Sequence, residues 1–302
     1  MKKKPNKITE ESIILFKKYL KEGYTQYKSA IMAEINPKST HHLVKRYKID
    51  VPKKFGLYRI NDDYFDNIDT EEKAYILGFI LADGCLTKDI KKKSISHRLC
   101  FCNSIDDKEI IELIRNEISP ESQIHYSNNQ TGAKFRKEHC RLRITSAKIF
   151  NMLTNTYNIK QRKTYYSDFK FNFSLIPVEL IRHFIRGFFD GDGSISFYLY
   201  RNSIYFNFSF VLNSLIFTNQ IAQIFEDLFP VKRVIYTKKG KTTTWYALRF
   251  KYNRKRKETI KNIYDYLYNN TSVFLTRKKL KFEQYLEYRA NVIDNTIIQC
   301  NA

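Results

Sequence analysis

The chain has 302 residues, too many for one small core and enough for two or three units of ordinary domain size. Hydrophobic residues are 43% and charged residues 28% of it, which excludes a disordered chain, and no apolar run approaches the roughly 20 residues of a membrane span. Lys and Arg number 53 against 31 Asp and Glu, a net charge of +22, so the expected partner is a polyanion, with nucleic acid as the first candidate.

Met1-Lys2-Lys3-Lys4-Pro5 has no apolar segment behind it and does not read as a signal peptide. Residues 8–50 read as three short helices: Glu10 to Leu20, Thr25 to Ala33 after Gly23, and His41 to Tyr47 after the turn Pro37-Lys38-Ser39-Thr40. A tight turn before a basic third helix suits a helix-turn-helix; the alternative is a helical cap on the main domain. Val51-Pro52-Lys53-Lys54-Phe55-Gly56 reads as linker. The expected domains are 1–55 (helical), a linker over 56–67, a first αβ domain over 68–174 and a second over 175–302.

The rest of the chain is a weak internal repeat with a period of about 100 residues, which means two similar domains. One half carries Ile76-Leu77-Gly78-Phe79-Ile80-Leu81-Ala82-Asp83-Gly84. The other carries Ile185-Arg186-Gly187-Phe188-Phe189-Asp190-Gly191-Asp192-Gly193. Further landmarks recur in the same order: Asn103-Ser104 and Asn213-Ser214, Leu142-Arg143-Ile144 and Leu248-Arg249-Phe250, then Arg162-Lys163 and Arg277-Lys278. Each half predicts a helix ending at Asp-Gly, two alternating strands, a helix, two more strands and a last helix. For the second half the predicted strands are 194–200, 204–212, 231–238 and 244–252, with helices over 217–228 and 258–268. Asp69 with Glu72 reads as a capping box for the first motif helix, and Pro177 as a first-turn proline of the second.

Gly78 and Ala82 are four residues apart, as are Gly187 and Gly191, which gives each motif helix a smooth face for close backbone approach. Helices packed side by side through those faces would bring Asp83 and Asp192 to one end of the interface. Gly84 and Gly193 suit a left-handed turn that ends a helix. Two adjacent carboxylates call for a proton or a cation between them, and oxygen ligands select a hard divalent ion such as Mg2+. Five cysteines without a CxxC pair point away from a zinc site and toward a reducing, intracellular setting.

The paired nine-residue motifs on a basic chain resemble the LAGLIDADG homing endonucleases, over residues 64 to about 290. The resemblance implies an α+β fold of two pseudo-twofold-related αββαββα domains that form a DNA-binding saddle, here with the helical N-terminal unit added. It implies a monomer acting on double-stranded DNA with Mg2+, or Mn2+ as a substitute. Asp83 and Asp192 map onto the metal-binding acids, with Ala82 and Gly191 beside them in the metal site. Lys163 and Lys278 map onto the basic residues near the scissile phosphates; otherwise they are surface lysines of a Lys-rich chain. Asp190 departs from its counterpart Leu81 and is expected to face solvent or cap a helix. Arg186 replaces a small residue and is expected to snorkel or to contact phosphate.

Arg141 and Arg143 alternate with Leu142 and Ile144, and Arg249 and Lys251 with Leu248 and Phe250, as on a groove-facing sheet surface. Ser194, Ser196, Tyr198 and Asn207 are polar rows on neighbouring strands; Arg98 joins this DNA-binding set, but its register is left open by the sequence. The Arg254-Lys255-Arg256-Lys257 run is read as a phosphate-contacting loop. The rival functions are an intron-RNA maturase on the same scaffold and a non-catalytic transcription regulator.

Overall fold

The computed structural model describes residues 8–21, 26–49, 59–91, 94–127, 138–200, 203–252 and 258–300; the side chains of 291–300 and a few neighbours of the gaps are not described. Gly23, the 51–56 linker and the Arg254–Lys257 run lie outside these residues. The chain divides into two compact units, 1–57 and 58–302.

The first unit holds helices α1 (Glu10–Lys21), α2 (Gln26–Met32) and α3 (Thr40–Arg46). Acidic residues open α1 and lysines close it, in line with the helix dipole. Ile13, Phe16, Leu20, Ala30, Ala33, Ile35, Leu43 and Ile49 form its own small core.

The second unit repeats one plan twice. Its first half runs α4 (Glu71–Asp83), β1 (Cys85–Lys91), β2 (Ser94–Ser104), α5 (Lys108–Ile118), β3 (His125–Ser127), β4 (His139–Thr145) and α6 (Ala147–Asn151, continued by a π turn to Thr156). Its second half runs α7 (Ile181–Asp192), β5 (Gly193–Tyr200), β6 (Ser203–Leu212), α8 (Leu215–Leu228), β7 (Val231–Lys239), β8 (Thr244–Tyr252) and α9 (Glu258–Tyr268), and then adds α10 (Thr276–Cys300). The sheets are antiparallel with matching orders, β1-β2-β4-β3 and β5-β6-β8-β7. The fold class and the duplication expected from the sequence are therefore present.

Helix α4 is buried from Ala74 to Ala82 on every side, because α7 covers one face and the sheet the other; such a helix reads as apolar all round. Helix α5 instead buries one stripe, Ile110, Ile111, Ile114 and Ile118. The strands alternate: Leu99, Phe101, Leu142 and Ile144 point into the core, with Phe208, Phe210 and Leu248 in the second half. Helix α10, not expected from the sequence, seals the underside of the second sheet: the Tyr285 ring lies 4.2 Å from Phe206.

Several local expectations are corrected. Thr70, not Asp69, caps α4, its side chain accepting from the Lys73 amide, while Asp69 pairs with Lys73. Pro177 precedes a 3-10 turn, Val178–Leu180, that leads into α7. Residues 59–67 are no linker, since Tyr64 and Phe65 are fully packed in the core. Neither Gly84 (φ −68°) nor Gly193 (φ −81°) adopts the left-handed conformation. Glycine is needed there for space: a Cβ would lie 2.7 Å from the Ile80 carbonyl oxygen at Gly84, and 2.0 Å from the Phe189 ring at Gly193.

Candidate active site

Helices α4 and α7 meet through their glycines. A Cβ on Gly78 would lie 2.0 Å from the Phe184 carbonyl oxygen, and one on Gly187 2.0 Å from that of Tyr75. The reciprocity means that the same faces of the two repeats touch each other. One turn later, a Cβ on Gly191 would lie 2.3 Å from the Ala82 Cβ and 3.5 Å from the Asp83 carboxyl carbon. The predicted seam of Gly78, Ala82, Gly187 and Gly191 is thus the actual interface, and both motif acids sit at its end.

The two lysines converge on the same place. Lys163 donates to the carbonyls of Ile80 (2.9 Å) and Ala82 at the end of α4. Lys278 donates to Phe189 (2.6 Å), Gly191 (3.2 Å) and Gly193 (2.7 Å) at the end of α7. Each ammonium meets the carbonyls and the partial negative charge of a helix C-terminus, sharing the Ile80 carbonyl with the Gly84 amide and the Phe189 carbonyl with that of Gly193. Burial pushes both lysines down to about 8, against the upward pull of nearby acids, Asp192 and Asp83 among them in each case. Asp192 keeps a face to solvent, but the protein crowded about it raises its pKa to about 6; Asp83 adds to the rise, and Lys163 and Lys278 oppose it. Four charges far apart in sequence therefore sense one another. Asn103, from the end of β2, donates to Asp83 at 2.7 Å and leaves its own buried Oδ1 without a protein partner among the described residues. Its recurrence as Asn103 and Asn213 was visible as a landmark, but no chemistry attached to it.

Two expectations are corrected here. Asp190 does not face solvent; it is 1% exposed and accepts from Tyr75 (2.8 Å), Tyr268 (2.9 Å) and the Leu275 amide (2.7 Å), the last at the start of α10, which agrees with the capping alternative. Arg186 neither snorkels nor reaches a phosphate. It is fully buried and donates to the carbonyls of Val273 (2.7 Å) and Leu267 (3.0 Å) and to Glu71 (2.8 Å). A charge so placed is tolerated because each of the three guanidinium nitrogens donates to an acceptor, one of them the Glu71 carboxylate.

The predicted rows of basic and polar residues occupy the outward sheet faces. Pairing of Arg98 with Thr145, Cys100 with Arg143 and Cys102 with Arg141 puts Arg98, Arg141 and Arg143 on one face, which settles the register of Arg98. Arg98 is also paired with Asp89. In the second sheet, Ser194 faces Ser209, Ser196 faces Asn207 and Ser209 faces Arg249, while Lys232 faces Lys251. Ser194, Ser196, Tyr198, Asn207, Arg249 and Lys251 thus share one face, to which Lys232 and Lys238 add charge. A cavity of about 190 Å³ opens between this sheet and the motif helices, lined by Lys163 and Asp192 together with Tyr166, Phe169, Phe188 and Trp245. Among the described residues no helix is long and apolar enough to cross a membrane.

Residues 185–288 match the family model described as LAGLIDADG endonuclease. None of the curated proteins compared with the chain matches it. Among solved structures, the I-SmaMI LAGLIDADG homing endonuclease bound to cleaved DNA is 14% identical, with a TM-score of 0.47 over 78% of this chain and 92% of that one. I-DmoI in complex with DNA and Mn is 17% identical, TM-score 0.41, over 67% of this chain and 98% of that one. The meganuclease I-AabMI bound to uncleaved DNA is 11% identical, TM-score 0.44, over 72% and 91%.

Proposed function

We propose that the chain, whose residues 185–288 match the LAGLIDADG endonuclease model, is a metal-dependent nuclease of that kind cutting both strands of a long, non-palindromic DNA site. The observation that carries this reading is the meeting of Asp83, Asp192, Lys163 and Lys278 at one end of the α4–α7 seam.

The donor set fits a hard divalent cation. Asp83 and Asp192 both stand at the end of the seam, and among the described residues no third acidic, His or Cys side chain joins them; the Ala82 and Gly191 carbonyls, expected beside them in the metal site, instead accept from Lys163 and Lys278. Mg2+ suits one or two carboxylates completed by water and phosphate oxygens, and Mn2+ accepts the same ligands. When bound, the metal supplies an activated water and charge neutralisation at the phosphodiester. Asp83 and Asp192 hold it, and Asn103 orients Asp83. Lys163 and Lys278, their pKa values lowered to about 8, stand where an amine can give a proton or offset charge near neutral pH.

The outward faces of the two sheets would lie along the duplex, with Arg98, Arg141, Arg143, Arg249 and Lys251 toward phosphates and guanine edges. Ser194, Ser196, Tyr198 and Asn207 would supply neutral contacts. The faces differ residue by residue, which suits a site without twofold symmetry. The N-terminal helices would add a further DNA contact.

Asp192→Asn tests the assignment. Cleavage should fall by at least about a thousand-fold, while DNA binding in Ca2+ holds within a few-fold. Cutting at the wild-type rate would refute the site; strong RNA binding without any DNA cleavage by the wild type would favour a maturase.

A further inference from the structure

The nuclease chemistry leaves Asp190 unused, yet the fold keeps this acid in its core. Its counterpart in the first half is Leu81, so the helix seam itself does not need a carboxylate at this position. Burying one is costly unless hydrogen bonds replace its water. Three do: Tyr75 and the Leu275 amide on Oδ2, and Tyr268 on Oδ1.

Leu275 immediately precedes α10, and its carbonyl accepts from the amides of Lys278 (3.0 Å) and Lys279 (3.2 Å). Lys278 therefore sits one turn beyond the residue that Asp190 grips. The same segment is held by Arg186 at Val273 and by Glu71 at the amides of Ser272 and Val273. Thr276 is held by Glu109, and Arg277 by Asp107. Lys163 is held by other means. It lies in a short 3-10 turn, Lys163–Tyr165, after Arg162 in the left-handed conformation, and Asn213 takes its carbonyl at 2.7 Å. At the position of Asp190 the first half carries Leu81, which has no carboxylate to grip that turn.

We propose that Asp190 is a positioning residue that sets Lys278 through the Leu275 amide, so that cleavage of one DNA strand depends on it and cleavage of the other does not. The inference rests on the nuclease reading. A sub-ångström anchor matters because a displacement of about 1 Å in a reacting group costs on the order of a hundred-fold in rate.

The test uses the full chain and a supercoiled plasmid carrying a site recovered from a randomised duplex library cut by the wild type, with each strand labelled separately. Lys278→Met identifies the strand that Lys278 serves. Asp190→Leu, which copies the first half, should slow that same strand on the order of a hundred-fold under saturating protein, leave the other strand and DNA affinity unchanged, and accumulate nicked circles. Asp190→Asn keeps an acceptor for the Leu275 amide and should recover most of the loss. Should Asp190→Leu not fold, Asp190→Ser removes the reach to Leu275 and is read in the same way. Equal slowing of both strands, slowing of the other strand, or no change would overturn the proposal. A wild type that cuts no member of the library would overturn the nuclease reading, and this inference with it.

Discussion

The seam between α4 and α7 makes a quantitative demand at its active end. In Gly191→Ala the new methyl would lie 2.3 Å from the Ala82 Cβ, where ordinary contact begins at 3.4 Å, so the helices must part by about 1 Å. Alanine gains up to about 1 kcal/mol of helix propensity over glycine, while overpacking costs about 1–3 kcal/mol. The single variant should therefore lose about 1–2 kcal/mol. In Ala82→Gly/Gly191→Ala the methyl simply changes helices. The obstructing atom is gone, the Ala82 Cα stands 3.6 Å away and the propensities cancel. Ala82→Gly alone should cost about 1 kcal/mol of helix propensity, and the double variant should return to within about 0.5 kcal/mol of wild type, a coupling of about 2–3 kcal/mol between the two positions. Urea unfolding of the four proteins in the cycle measures it, with cleavage as a second readout that should fall on the order of a hundred-fold in Gly191→Ala and recover in the double variant. Additive effects, or a Gly191→Ala protein as stable as wild type, would refute the close-packed seam.

Arg186→Met should cost about 3–5 kcal/mol in the same assay, because it strands the carbonyls of Val273 and Leu267 and leaves Glu71 without its cation; a loss below about 1 kcal/mol would contradict its buried role. His183 is held neutral: burial is the main cause, neighbouring Arg186 adds to it, and Arg182 donates to its Nε2, leaving a pKa of about 4. Between pH 6.5 and 4 the unfolded chain takes up a proton that the folded chain refuses, so stability falls with pH through that window by up to about 3 kcal/mol. His183→Gln should flatten the dependence, and parallel pH profiles for the two proteins would disprove it. Replacing Arg143, Arg249 or Lys251 by Ala should each weaken DNA binding and lower the slope of log affinity against log salt by about 0.9 where the side chain meets a phosphate; an unchanged slope for all three would remove the sheet faces from the DNA interface.

The sequence alone determined what depends on short-range periodicity. Alternation placed Arg141, Arg143, Arg249 and Lys251 on exposed strand faces. The four-residue spacing of Gly78 with Ala82, and of Gly187 with Gly191, marked a helix pair in close approach, and the repeat tied Asp83 to Asp192. Tertiary structure decided the rest. Asp190 and Arg186 look like surface residues in any local window, and they are buried because Tyr75, Glu71 and the 267–275 segment, distant along the chain, supply their hydrogen bonds. Gly84 and Gly193 carry the residue type of a left-handed turn, yet they are extended; what excludes a side chain is the neighbouring Ile80 carbonyl in one case and the Phe189 ring in the other. The partner that pays for a buried charge, or the atom that fills a glycine's missing side chain, arrives only when remote segments pack, and no window of sequence contains it.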